Sequence, residues 1–388
     1  MSHRNTSARP RAAVVVGLVA GLAALLLAPS AMAAQPEEGE VTVMTRNVYL
    51  GADLGPILDA VDLPGVLAAA TAAYNQVIYT DFPQRAKLLA KEIKKKKPDI
   101  VGVQEAAAWF ADVDPPTTDG DATPATHVEY DFRADLEKQL KKKKAKYTVV
   151  RAQRELDGEL PTFSGDRRLV MRDLMLVRKG VGASVKFEQS KNFDNFLTVL
   201  GGAVDVDRGW IAGEANVRGT EFRVVNTHLE AFDSGVRLDQ ADELVAPGGP
   251  ADADAAGMPV VLLGDLNTDD EIEETLGASP EHADDELPYA ALTGAGLEER
   301  SVDGPNLVDD EFSCCFFDPD IDDPDAYTNG EWDHNVDHIM VSDGAITLVK
   351  SSVTGNSRLV DSNALATPHE LWASDHGGVV STLQFPLP

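Results

Sequence analysis

The run Pro259-Val-Val-Leu-Leu-Gly-Asp265-Leu-Asn267 constrains the fold more than any other stretch of the chain. Its unbroken apolar residues, closed by Pro on one side and Gly on the other, read as a strand buried on both faces. Asp265 and Asn267 are two apart, so along an extended chain they project to one face, at the lip of a core. A carboxylate accepts a proton or binds a cation, and a carboxamide donates to a phosphate oxygen. Taken alone, Gly-Asp-x-Asn is equally a turn. The ends of the other strands decide the matter.

In chain order, residues 41–49 alternate like a strand and deliver Asn47 at its end, and residues 50–55 break it into a loop. Asp81-Phe-Pro-Gln84 predicts a helix start, with Asp81 as N-cap and Gln84 three residues on. Phe82, Ala86, Leu89, Ala90 and Ile93 then fall on one helical face. Lys94 to Lys97 form a solvated helix end, where cations suit the dipole. Pro98 stops the helix, and a second apolar strand ends in Gln104-Glu105. Residues 112–126 read as a loop and 128–144 as a polar helix, with strands over 147–151 and 173–178. Two arms around Gly219 make a hairpin, opened by Arg208 and closed by His228. Past Asn267 the chain is acidic and loop-rich, with short helices expected near 271–276 and 289–292. Asp337 begins one more strand, and Ser374-Asp375-His376 precedes the last. No solenoid period and no linker interrupts this order, so residues 34–388 read as a single layered α/β domain.

The N-terminus carries Arg4, Arg9 and Arg11, an apolar run over 12–27, and Ala31-Met-Ala33. That is the pattern of a secretory signal peptide over 1–33, with cleavage after Ala33. The apolar run is shorter than the roughly 20 residues of a membrane anchor. A secreted, extracellular protein with no stable membrane span is therefore expected. Removing three Arg and no acid shifts the net charge of the 388-residue chain from −30 to −33. Between Asp265 and Asp337 there are 24 acidic residues against one basic, Arg300. This field opposes tight, sequence-independent binding to a polyanion. Asp318-Pro-Asp320-Ile-Asp322-Asp323 reads as a solvated acidic loop, because an EF-hand would need Gly at 323 and Glu at 329. Cys314 and Cys315 are adjacent, close no long loop and lack the partners of a zinc site.

Collected, the strand ends carry Asn47, Glu105, Arg208, His228, Asp265, Asn267, Asp337, Asp375 and His376. Carboxylates with Asn suit a hard divalent cation, two His titrate near neutrality, and Arg offers a fork for phosphate oxygens. Each residue also has a plain structural reading, such as N-cap, turn or core histidine. Their common position where a buried segment meets a loop is what sites are built from.

The ordered motifs Thr-x-Asn47, Pro-Asp-x-x-x-x-Gln-Glu105, Arg208-Gly-Trp, Asn-Thr-His228-Leu, Gly-Asp265-Leu-Asn267, Val-Asp337-His-Ile and Ser-Asp375-His376 resemble the endonuclease/exonuclease/phosphatase superfamily. That superfamily includes pancreatic-type deoxyribonucleases, abasic-site endonucleases, inositol-polyphosphate phosphatases and bacterial sphingomyelinases. The resemblance implies an α/β fold, a four-layered αββα sandwich of two mixed β-sheets flanked by helices. It further implies a metal-dependent phosphoric diester hydrolase using Mg2+, with Mn2+ or Ca2+ as alternatives. Glu105, Asn47 and Asp375 resemble its metal residues. His228, Asp265, Asn267, Asp337 and His376 resemble its catalytic residues, and Arg208 a substrate-phosphate contact. A nucleic acid or a phospholipid head group would be the phosphodiester partner, and a monomer is the expected state. The abasic-site enzymes have Tyr in the region of His228 and Asp where this chain has Tyr49, which argues against DNA repair. Phe316-Phe317 is the sole candidate for an exposed aromatic hairpin of the membrane-acting members. The rival from another class is an exported binding protein that kept the fold and lost catalysis, and no site residue is lost here.

Overall fold

The computed structural model describes residues 37–112, 124–269, 286–301, 313–315, 332, 335–355, 360–362 and 369–387. The signal-peptide reading, the helix expected near 271–276, the acidic loop at 318–323 and Phe316-Phe317 lie outside them.

The elements follow in chain order. β1 (Glu40–Asn47) leads to α1 (Gly55–Leu58), α2 (Leu63–Tyr79) and α3 (Phe82–Lys96). After these come β2 (Ile100–Gln104), β3 (Ala108–Ala111), β4 (His127–Asp131) and α4 (Phe132–Lys142). A long hairpin of β5 (Tyr147–Thr162) and β6 (Gly165–Arg178) precedes β7 (Ala183–Asn192), β8 (Leu197–Val199) and β9 (Val204–Val206). Then come β10 (Gly209–Val217), β11 (Thr220–His228), α5 (Ser234–Val245), α6 (Ala253–Ala256), β12 (Val260–Asp265), α7 (Leu287–Gly294) and β13 (Glu298–Glu299). β14 (Asp337–Val341), β15 (Thr347–Thr354), β16 (Val360–Ser362), β17 (His369–Leu371) and β18 (Gly378–Gln384) complete the described chain.

Two large mixed sheets result. One runs β15-β18-β1-β2-β6-β3-β4, with β5 also on β6; the other runs β13-β14-β12-β11-β10-β7. Alternation along the strands builds the layers. Val43, Ile100 and Val177 of the first sheet meet Ile211, Val224, Val261, Leu263 and Ile339 of the second in a core between the sheets. The intervening residues face outward. Met44, Val101 and Leu174 pack under α2, α3 and α4 through Val77, Leu89 and Leu136. Val260, Leu262 and Met340 pack under α5 and α7 through Leu244 and Leu292. This is the expected αββα sandwich, and β12 is buried along its whole length.

Register then aligns the strand ends. Asn47 pairs beside Gln104 in parallel β1 and β2. Across the second sheet Gly209 lies opposite His228, His228 beside Asp265, and Asp265 opposite Asp337. One row across four strands therefore carries three of the nine candidates, with Arg208 immediately before it.

The local readings differ from the structure in several places; the strands expected over 147–151 and 173–178, for instance, are a hairpin of 16 and 14 residues. α2 is not among the expected elements; Pro64 sits in its first turn, where it is tolerated, and Asp62 caps it by accepting from Gly65 N–H at 2.8 Å. The polar helix expected over 128–144 is split, because residues 127–131 pair with β3 as a strand. Asp81 stands at the start of α3 without capping it, since its backbone is left-handed at φ 38° and no side-chain cap bond forms.

The two sheets approach closely where β2 meets β11. A Cβ on Gly102 would lie 2.0 Å from Asn226 Oδ1, which accepts from Gln104 Nε2 at 2.7 Å. Gly102→Ala is expected to destabilise the fold by about 2 kcal/mol, through overpacking and loss of that bond. Urea denaturation checks this, and an unchanged midpoint would contradict it.

Candidate active site

All nine candidate residues meet at one end of the sandwich. Glu105, Arg208, His228, Asp265, Asn267, Asp375 and His376 line a single cavity. Asn47 stands against two of them, with Nδ2 donating to Asp265 Oδ2 at 2.8 Å and lying 3.5 Å from His376 Nε2. Asp337 lies behind His376 and accepts from its Nδ1 at 2.9 Å.

Asp265 is the hub. Its Oδ2 is 3.6 Å from His228 Nε2 and 3.7 Å from His376 Nε2, and its Oδ1 accepts the Asn267 N–H at 3.2 Å. Burial and then the charge of Asp337 raise its pKa against the pull of His376 and Asn47. Asn267 donates one amide hydrogen to Leu229 O at 3.0 Å, leaving the other for a ligand. Three residues just past strand ends, Tyr49, Glu105 and Asn267, have φ of 57°, 61° and 50°. Side chains tolerate that region poorly, and it concentrates at functional loops.

From residue type alone both histidines are expected to titrate near neutrality, and the structure separates them. Burial, then the Arg208 and His376 charges, push His228 well below its ordinary value. It is neutral and accepts from Arg208, whose Nη1 approaches Nδ1 to 2.9 Å. Burial also pulls His376 down, but the carboxylates of Asp337, Asp265 and Asp375 overcome it and hold the ring at about 10. The cleft thus carries one neutral and one protonated imidazole.

Several residues that frame this site were not singled out in the sequence. Arg85 is fully buried on α3 and donates to Thr80 O, Val48 O, Tyr49 O and Ala373 O at 2.8–3.1 Å. It ties the loop after Asn47 to the segment before Asp375, and burial lowers its pKa to about 10. A charge between Phe82 and Ala86 on an apolar helical face was the available signal. Ser374 Oγ donates to Asn47 O at 3.0 Å. Behind Arg208 lie the buried acids Glu230, Glu155 and Asp173; Glu230 Oε2 is 3.4 Å from Arg208 Nε. Burial raises Glu155 and Asp173 well above the carboxylate range, with Arg208 opposing, and neither is hydrogen-bonded to another side chain. The bonded Cys314–Cys315 pair stands 3.7 and 3.6 Å from His376 Nε2, a proximity nothing in the sequence signals.

The residues fit a hard cation. Glu105 spends Oε2 on the Leu50 N–H at 2.6 Å and keeps its other oxygen. Asp375 is raised to about 6 by burial and, against the pull of His376, by the charge of Glu105. Two carboxylates that repel across a cavity, with Asn47 nearby, are an oxygen donor set for Mg2+-like ions. Tighter acid–histidine clusters, with ligand atoms within 4.8 Å of one another, are Asp265-Asp337-His376 and Glu155-Asp173-His228.

The loop carrying Asn267 is anchored from behind. His338 Nδ1 meets Glu299 Oε2, and its Nε2 meets Thr268 O, each at 2.8 Å. Burial opposes the ring's charge, but Glu299, and then Asp269, raise its pKa from 6.5 to about 10. A folded pKa above the unfolded one gives stability that is complete below pH 6.5 and lost as pH rises through about 10. We expect a loss on the order of 4 kcal/mol across that window, absent in His338→Gln. Equal slopes in denaturation of the two proteins would contradict it.

The family model described as Endonuclease/Exonuclease/phosphatase family matches residues 79–376. The chain is similar in structure to an endonuclease/exonuclease/phosphatase from Beutenbergia cavernae, at 17% identity and a TM-score of 0.51, over 89% of this chain and 72% of that one. It is likewise similar to a family protein from Leptotrichia buccalis, at 15% identity and a TM-score of 0.50, over 89% and 100%. At these identities the likeness is one of fold. No curated protein matches the sequence.

Proposed function

The chain belongs to the endonuclease/exonuclease/phosphatase family, and on that footing we propose that it is an exported, Mg2+-dependent phosphodiesterase. Members of the family hydrolyse phosphoester bonds. The observation that carries the reading is the convergence of a neutral and a protonated imidazole on Asp265 Oδ2, at 3.6 and 3.7 Å.

Asp265 is the group that orients the attacking water and takes its proton; its raised pKa brings it nearer to neutral pH, where a general base works best. His376, held by Asp337, presents a proton to the phosphoryl oxygens or the leaving group. His228 and Arg208 face the same phosphate as hydrogen-bond donors, and the free Asn267 amide hydrogen is aimed to join them. Glu105, Asn47 and Asp375 are the residues that would hold the ion. When bound, a divalent cation polarises the phosphoryl group and offsets its developing charge.

Among the described residues, no helix is long and apolar enough to cross a membrane. Export rests on residues 1–33 as a signal peptide, and the protein is proposed to act as a monomer. The secreted N-terminus is expected at Ala34, and mass spectrometry showing Met1 or Ser2 on secreted protein would contradict it.

Nuclease and sphingomyelinase-like activities are both within this reading. Purified protein should be assayed on plasmid DNA, RNA, sphingomyelin and an aryl phosphodiester, with and without EDTA. Turnover of at least one phosphodiester, abolished by EDTA, is expected. Failure on all four in the presence of Mg2+ would favour a binding protein instead.

A further inference from the structure

The cavity that holds the catalytic side chains does not stop at them. It extends to about 490 Å³, within the usual range of small-molecule sites, and apart from Asp53 and Arg167 its walls beyond the site residues are mostly hydrocarbon. Leu54 and Ile57 come from α1 and the residue before it, Leu160 and Leu169 from the β5–β6 hairpin, and Leu200 and Val204 from the β8–β9 segment. Three separate parts of the chain thus turn apolar side chains toward a space that opens onto the reaction centre.

This wall offers little with which to read a base or a sugar, its charged side chains outside the site residues being Asp53 and Arg167. Reading a base takes exposed aromatic faces or free donors and acceptors. Of the aromatic rings in the lining, Tyr49 and Trp109 are buried and their polar atoms are engaged. Tyr49 Oη accepts from Gln76 Nε2 at 2.8 Å, and Trp109 Nε1 donates to Leu50 O at 2.9 Å. Phe232 alone among them is substantially exposed. The formal charge of −30 also opposes a polyanion. A single phosphodiester with a hydrocarbon substituent meets neither obstacle. Large apolar side chains are exposed on segments that adjoin these in sequence: Val61 and Leu63 at the start of α2, Phe163 at the β5–β6 turn, and Phe196 before β8. The β5–β6 turn is fixed to α2, since Phe163 N–H donates to Thr71 Oγ1 at 3.0 Å. Exposed apolar side chains on a protein with an apolar cavity suit a substrate drawn from a lipid phase.

We infer that the cavity seats an aliphatic chain, so that the phosphodiester hydrolysed at the cleft is an amphiphile rather than a nucleic acid. The inference rests on the phosphodiesterase reading of the site and narrows it to a substrate class. Water attacks phosphorus, the phosphorus–oxygen bond to the leaving alcohol breaks, and that alcohol takes a proton. The hydrocarbon takes no part in the chemistry and contributes binding alone.

The test is kcat/KM on p-nitrophenyl alkyl phosphates from methyl to decyl, with Mg2+, alongside plasmid DNA. We expect a rise of about fourfold per methylene over the first several carbons, then a plateau as the cavity fills. Val204→Asp should cut the decyl-to-methyl ratio at least about tenfold, and Leu160→Asp should do the same through a different wall. Because the ratio is taken within one protein, loss of folding does not imitate the effect. Where the rise with chain length is seen, cleavage of vesicular phosphatidylcholine or sphingomyelin as well points to membrane lipid as the source, and cleavage of the monomeric esters alone points to a soluble amphiphile; with that rise, both support the chain site. A flat profile with the methyl ester still cleaved overturns the inference and leaves the phosphodiesterase reading standing, as does a preference for DNA. No cleavage of any ester overturns that reading and the inference together.

Discussion

Replacing Asp337 by Asn should lower kcat by about 10²-fold or more while leaving thermal stability nearly unchanged. Asp337 is fully buried at the start of β14, and its Oδ2 accepts from His376 Nδ1 at 2.9 Å. Its backbone N–H is held by Ser313 Oγ at 3.2 Å, an anchor the substitution leaves intact. Asn keeps the shape and removes the charge that fixes the ring's tautomer and favours its protonated form. The decisive reading is the double variant. His376→Ala made in the Asp337→Asn background should cost much less than in the native protein, because residues acting as one unit are not additive. Losses that multiply as independent factors would reduce Asp337 to a strand-start residue.

Glu105→Gln should be as damaging, for a different reason. Gln can still accept the Leu50 N–H that Glu105 Oε2 now takes, so the loop, with Glu105 at φ 61°, is expected to hold. What disappears is one of the two carboxylates proposed to hold the ion. A fall of at least about 10²-fold in kcat/KM at ordinary Mg2+ is expected, since removing a group that merely orients a metal ligand already costs up to that much. Raising Mg2+ should restore part of it. Full activity at ordinary Mg2+ would remove Glu105 from the metal set.

What the sequence disclosed and what it hid follow from the range of the forces involved. A strand buried on both faces announces itself by local composition, so β12 and β2 were legible, and with them Asp265 and Glu105 at their ends. That Gly209, His228, Asp265 and Asp337 share one row is a matter of register. Register in turn is fixed by which face each strand buries. Arg85 was hidden because its partners are backbone carbonyls at positions 48, 49, 80 and 373, which leave no side-chain pattern. β4 was hidden because its burial is slight and its pairing with β3 is long-range. The opposite shifts of His228 and His376 depend on buried charges contributed by distant segments, and so does the raised pair Glu155 and Asp173. The apolar cavity is the extreme case: its walls come from α1, the β5–β6 hairpin and the β8–β9 segment, and no one of these reads as a pocket.

The central claim is that this cleft uses water to break a phosphorus–oxygen bond. Turnover of an alkyl aryl phosphodiester in ¹⁸O-labelled water tests it most directly. The account predicts one labelled oxygen per turnover in the phosphomonoester product, none in the released alcohol, and no incorporation after EDTA or in His376→Ala. Label appearing in the alcohol, or incorporation that persists undiminished in His376→Ala, would contradict it.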